Sequence, residues 1–208
     1  SVYGVKKESN VHEEMSLEPL TDYSKFKAMC EDILLKYKSP DFQVVTIRPA
    51  TVCGYSKRQR LDLVVNILTS FAYNTGKITV LGGDQLRPNI HIKDMIEIYK
   101  TAIKADSNLV NGQIFNAGYQ NLKVNEIAEL VKKIVGEEVE IERKKSNDNR
   151  SYHISSSKIN KILNFSSSFT VEDAIIDLKK AFDQKLLLDP LNNIKYYNIK
   201  LMNNIELN

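Results

Sequence analysis

Strand-like runs and helix-period segments take turns along this chain, and no other feature restricts its fold as much. Over 23–37 the apolar residues Phe26, Met29, Cys30, Ile33 and Leu34 recur at intervals of three and four, which predicts a helix ended by Ser39-Pro40. Segment 42–47, FQVVTI, is a nearly continuous apolar and β-branched run, the pattern of a parallel strand buried on both faces. Helical spacing returns over 62–73 and stops at Gly76, and 78–81 reads as a strand before Gly82-Gly83. The same rules predict a short strand at 89–92, a helix over 95–104, a strand over 113–116 and an amphipathic helix over 125–135 closed by Gly136. An edge strand at 139–142, a polar stretch at 144–150 and helices around 157–163 and 171–182 follow. Such alternation is the signature of an α/β domain with a mostly parallel sheet. From 186 onward there is no clear period, and the chain has neither an internal repeat nor a low-complexity segment.

Composition narrows the function classes. With 42% hydrophobic and 26% charged residues, the 208-residue chain has the balance of a soluble globular protein. The net charge of +3 is small and the basic residues are spread among acidic ones, so neither nucleic acid nor a membrane surface is expected as a partner. A mild preference for small anionic ligands is all that this charge supports. Cys30 and Cys53 stand far apart with no Cys/His cluster, which points to a reducing compartment, the cytoplasm, and away from a structural zinc site. No apolar run approaches the roughly 20 residues of a membrane helix. The first residue is Ser1, without a Met, and a preceding segment is therefore expected.

Tyr23-Ser24-Lys25-Phe26-Lys27 is a Tyr-x-x-x-Lys at the start of a predicted helix, which puts both side chains on one face, one turn apart. A neighbouring ammonium favours phenolate over phenol, and that is what a phenol needs to act as a general base. In a lysine-rich chain with 10 Tyr the pair also arises by chance, as a surface Tyr and Lys, so its weight depends on what surrounds it.

Several surrounding segments fall in a family order. Val2-Tyr3-Gly4 stands ahead of Tyr23, and Arg48-Pro49-Ala50-Thr51-Val52-Cys53-Gly54 follows the strand at 42–47. The run from Gly76 to Gly83 leads through Gln85 and Arg87 to Asn89-Ile90-His91-Ile92-Lys93-Asp94. Phe115-Asn116-Ala117-Gly118, Asp148-Asn149-Arg150-Ser151-Tyr152 and Ser157-Lys158 come after. On these motifs the chain, from Ser1 to about Phe182, resembles the extended short-chain dehydrogenase/reductases, specifically the NAD-dependent nucleotide-sugar epimerases and dehydratases.

The resemblance implies an α/β fold: the C-terminal part of a doubly wound Rossmann-type parallel sheet plus a smaller substrate-binding region. Residues 1–185 would form the incomplete epimerase/dehydratase domain, with substrate-region segments at about 54–86 and 115–150, and 186–208 a C-terminal tail. It implies Tyr23 as the base that removes a sugar hydroxyl proton and Lys27 as its partner and a ligand of the nicotinamide ribose. Pro49, Ala50 and Val52 would lie beside the cofactor, NAD, with NADP left open. Thr51, Asn66, Arg87 and Arg150 would contact the nucleotide sugar, the arginines gripping its diphosphate with the planar guanidinium fork. Each has a plainer alternative: a surface arginine for Arg87 and Arg150, a helix cap or surface amide for Asn66. His91 reads as a packed, satisfied histidine rather than an acid catalyst, and Asp94 as the cap of a helix starting at Met95. A homodimer through the Tyr-Lys helix is also implied.

Departures from the pattern refine this. The family's catalytic Ser/Thr sits five residues before the Gly of Val-Tyr-Gly, a position upstream of Ser1. The dehydratases carry a glutamate where this chain has Ser1, which favours 4-epimerisation or simple oxidation and reduction at C4. Thr51 replaces a frequent asparagine and Pro49 a frequent aromatic. No Gly-x-x-Gly-x-x-Gly follows any predicted strand, so most of the cofactor site is expected to lie outside this chain. The expected activity is C4 oxidation of a nucleotide-activated sugar, foremost as a 4-epimerase, with a 4,6-dehydratase, 4-keto reductase or C4 dehydrogenase as alternatives. The 19–31 and 48–63 stretches look loosely like members acting on nucleotide-linked heptoses. A non-catalytic member binding a nucleotide, RNA or protein is the rival of another class, and retention of both Tyr23 and Lys27 counts against it.

Overall fold

A computed structural model describes residues 2–6, 8, 10–145, 151 and 153–205. Helix α1 spans Asp22–Lys36 and is capped by Thr21, whose hydroxyl accepts from the Ser24 amide. Strands β1 (Val45–Pro49) and β2 (Thr51–Cys53) follow, separated only by Ala50. Then come α2 (Val64–Thr75), β3 (Lys77–Leu81), β4 (Leu86–His91), α3 (Ile92–Lys104) and the single turn α4 (Ser107–Val110). Strands β5 (Gln113–Ala117) and β6 (Gln120–Lys123), helix α5 (Val124–Val135) and strand β7 (Glu140–Lys144) complete the middle of the chain. Helices α6 (Ser157–Leu163), α7 (Val171–Asp183) and α8 (Asn198–Asn203) close it, with a 3-10 turn at Ile194–Tyr196.

Strand pairing is parallel in β1–β5, β2–β4 and β3–β7, and antiparallel in β4–β6. This is the α/β arrangement that the alternation predicts. The helix α2 ends where Gly76 adopts φ +67°, a left-handed cap that a side chain would strain. Two cores form. One packs Val65 and Leu68 of α2, Ile127 and Val131 of α5 and Ile175 of α7 over Ile78 and Val80 of β3. The other joins Val2 and Tyr3 to Ile90, Ile98, Phe115 and Ile159 around β4 and β5. Residues after 186, aperiodic in sequence, fold back: Leu187 and Tyr197 bury against Leu61, Leu178 and Phe182.

Two expectations change, and the environment of α1, which the periodicity leaves open, becomes visible. Strand β1 was read as buried on both faces, yet Val45 to Arg48 are only half-buried and Pro49 is exposed. Its described pairing is with β5 alone, so one edge and part of a face are left uncovered. The apolar stripe of α1 is likewise exposed, with Ser24 its one buried residue among those described. Finally, α3 starts earlier than predicted. His91 caps it by accepting the Lys93 amide on Nδ1 at 3.1 Å, while Asp94 sits within the first turn and accepts from the amides of Ser168 and Phe169 instead. A histidine ring nitrogen is an adequate amide acceptor when neutral, which frees the aspartate to anchor the chain entering α7.

Among the described residues, no helix is long and apolar enough to cross a membrane.

Candidate active site

Strand β1 and the face of α1 that carries Tyr23, Lys27, Cys30, Glu31 and Leu34 form the walls of a cleft of about 360 Å³. Tyr23, Lys27 and Cys30 line one side, and Pro49 and Ala50 the other, with Tyr99 and Pro88 beyond. Lys27 Nζ lies 5.7 Å from the centre of the Tyr23 ring, as side chains one helical turn apart do. Tyr23 is 66% exposed in this chain. Thus Tyr23, Lys27, Pro49 and Ala50 come together in one place.

The other predicted site residues lie apart from this cleft's walls. Thr51 and Val52 are half-buried on β2, in register with Asn89 and Ile90 of β4. Arg87, on β4, donates through Nη1 to the Leu86 carbonyl at 3.1 Å. Asn66 is neither a cap nor a surface amide. Buried on α2, it accepts from the Gly54 amide at 3.1 Å and donates to the Arg60 carbonyl at 2.8 Å. It therefore braces the 54–63 loop from within. Gln59, which sequence reasoning passed over, does the same from the loop side, bonding the Ser56 amide and the carbonyls of Gly54 and Arg60. Arg150 falls outside the described residues.

The cleft wall also carries a polar network, of Tyr3, Glu31, Arg48 and Asn116, that the sequence reading missed. Arg48 grips Glu31 of α1 through Nη2 at 2.7 Å and Nε at 3.1 Å, and its Nη1 donates to the Tyr3 hydroxyl at 2.7 Å. Tyr3 in turn donates to Asn116 Oδ1 at 2.7 Å. Burial pushes the Tyr3 phenol up despite the guanidinium beside it, so it remains a donor. The available signal was an arginine inside an apolar strand, which must find a carboxylate.

The parallel strand pairing, with an exposed Tyr and Lys one turn apart on a neighbouring helix, fits the short-chain dehydrogenase/reductase class that the motifs resemble. The chain belongs to the NAD dependent epimerase/dehydratase family, whose model matches residues 1–118. A UDP-glucose 4-epimerase of Lactobacillus helveticus is 28% identical over 156 residues, covering 65% of this chain and 46% of that protein. A mutant UDP-glucuronic acid 4-epimerase from Bacillus cereus, in complex with UDP-4-deoxy-4-fluoro-glucuronic acid and NAD, superposes with a TM-score of 0.79 at 25% identity, over 89% of this chain and 59% of that one. A dTDP-glucose 4,6-dehydratase from Bacillus anthracis, in complex with NAD, gives 0.76 at 20% identity, over 96% and 61%. The chain thus spans about half the length of the curated relative and about 60% of these structures. The shared fold is Rossmann-type, in agreement with the sequence reading.

The residues present fit one end of a nicotinamide dinucleotide. A phenol and an ammonium, both exposed in the cleft, supply the hydrogen bonds that a ribose diol takes, and Pro49 and Ala50 offer the apolar wall that a flat ring needs. For the pyrophosphate end the sequence holds no Gly-x-x-Gly-x-x-Gly after a strand.

Proposed function

We propose that this chain supplies the catalytic helix and the substrate side of an NAD-dependent enzyme that oxidises C4 of a nucleotide-activated sugar, working as a 4-epimerase. The observation that supports it most is the meeting of Tyr23, Lys27, Pro49 and Ala50 in one cleft. Tyr23 takes the C4 hydroxyl proton through its phenol oxygen. Lys27, one turn away, holds positive charge beside that oxygen and bonds the nicotinamide ribose. Pro49, Ala50 and Val52 form the cofactor side, Thr51 faces the sugar, and Arg87 with Arg150 holds the diphosphate. Asn66 acts on substrate through the loop it braces. Bound NAD supplies the hydride acceptor. Ser1, standing where dehydratases carry a glutamate, favours epimerisation over loss of water.

A cytoplasmic homodimer goes with this reading. Phe26, Met29, Ile33 and Tyr37 are 47–69% exposed along the outer face of α1, an apolar stripe that a second copy would cover. Analytical ultracentrifugation returning only the monomer mass would remove the dimer from the proposal.

The activity is tested on the full-length protein with NAD and UDP-, GDP- and dTDP-sugars, followed by NMR and mass spectrometry. Inversion at C4 is the expected result. Loss of water would make the enzyme a dehydratase instead, and no turnover with any sugar would sink the enzymatic reading.

A further inference from the structure

We infer that Arg48 is a positioning residue that sets the rotation of the catalytic helix, by clamping Glu31 of α1 and Tyr3 of the Val2-Tyr3-Gly4 segment at once. The inference rests on the reading of Tyr23 and Lys27 as the catalytic pair. Its first ground is the set of side-chain bonds that tie α1 to the later part of this chain. Ser24 is the one buried residue of that helix among those described, and its apolar stripe faces outward. Among the described residues, every side-chain hydrogen bond that leaves α1 for a later part of the chain goes to Arg48.

The second ground is the form of the clamp. Nη2 and Nε of Arg48 meet both carboxylate oxygens of Glu31 at 2.7 to 3.2 Å, a bidentate fork that fixes direction as well as distance. The two side chains are only 9% and 12% exposed, so water screens the pair little. The free arm, Nη1, donates to the Tyr3 hydroxyl and to the Glu13 carbonyl at 3.3 Å, and its guanidinium carbon lies 5.0 Å from the centre of the Tyr3 ring. Tyr3 is itself tied to Asn116 of β5, and the Asn116 amide to Glu13 Oε1 at 2.7 Å. One guanidinium therefore joins α1, the Tyr3 segment and β5.

The third ground is register. Glu31 stands one turn beyond Lys27 and two beyond Tyr23, and all three line the same cleft. Fixing Glu31 fixes where the other two side chains point. A catalytic group displaced by about 1 Å loses about 100-fold in rate, so a fork that fixes the rotation of α1 bears directly on turnover.

Arg48→Lys keeps the charge and removes the fork, and Glu31→Gln is a gentler second variant. Hydrogen exchange by mass spectrometry, on the chain as it stands, should show residues 23–36 exchanging about tenfold faster or more, with α5 and α7 unchanged. Uniform acceleration would reduce the pair to general stability, and no change would show that α1 is held by other means; either overturns the inference. In the full-length enzyme with NAD, Arg48→Lys should lower kcat about 100-fold while KM for the nucleotide sugar stays within about threefold. A raised KM with kcat kept would make Arg48 a substrate ligand and refute positioning. Should Tyr23→Phe leave turnover intact, the catalytic pair itself falls, and the exchange result then reports helix anchoring alone.

Discussion

Lys27 Nζ stands 5.7 Å from the centre of the Tyr23 ring, and both side chains open into the cleft that ends at Pro49 and Ala50. A phenol placed so has a job only if its oxygen reaches a ligand. No hydrogen bond of the Tyr23 hydroxyl is seen among the described residues of this chain, where the side chain is largely exposed.

Replacing Tyr23 by Phe should therefore abolish turnover, by about 100-fold or more, while nucleotide-sugar affinity and unfolding free energy stay nearly unchanged, within about 0.5 kcal/mol. Calorimetric titration with the nucleotide sugar and urea unfolding read the two quantities. A large loss of affinity would assign Tyr23 to binding or packing.

Gly54→Ala should destabilise the chain by about 1–3 kcal/mol. Gly54 has φ +100°, and a Cβ there would lie 3.0 Å from Nε2 of the buried His91. Urea midpoints of the two proteins give the difference. A cost below about 0.5 kcal/mol would mean that the 54–63 loop yields.

These sites mark how far the sequence could be read. Helix α5 was legible because Ile127, Ala128 and Val131 keep one face and Gly136 stops the run, and the helix spans Val124–Val135. The strands β2 and β6, three and four residues long, carry too few positions to show a period and emerged only through their pairing with β4. In α1 the periodicity gave the helix but not its environment, because an apolar stripe looks the same whether it faces a core or solvent. The Tyr23 and Lys27 pair was legible from spacing. Its support was not, since Arg48 and Glu31, 17 residues apart, meet only in the folded chain. For Asn66 the cap and surface alternatives fall because its amide bonds Gly54 and Arg60, partners set by a loop without regular structure.

The two thiols should differ in reactivity. Cys30 is exposed on the cleft side of α1, whereas burial, with a smaller contribution from the Asp94 charge, pushes the Cys53 thiol up to about 12. An aromatic disulfide reagent at pH 8 should titrate one thiol in the native protein and both in denaturant. Rapid reaction of both thiols before unfolding would contradict the packing of β2.

Mild acid should weaken the fold through His91. Its Nδ1 accepts the Lys93 amide, so the proton of the neutral ring sits on Nε2, 3.5 Å from Asp177 Oδ2. Phe169 stacks on the ring at 4.9 Å. Burial holds this histidine below its ordinary value of 6.5; Lys93 acts in the same direction, while Asp177, Asp94 and Asp173 oppose both. The sign follows from linkage. As pH falls below 6.5 the unfolded chain takes up a proton that the folded ring still refuses, so the stability present above that pH is lost progressively until the folded ring is protonated too. The carboxylates that are held low, such as Asp173, titrate in a more acidic window and do not mask it. Urea midpoints measured from pH 7.5 down to 5 should fall, and His91→Gln should flatten that slope. A His91→Gln protein with the wild-type slope would place the sensitivity elsewhere.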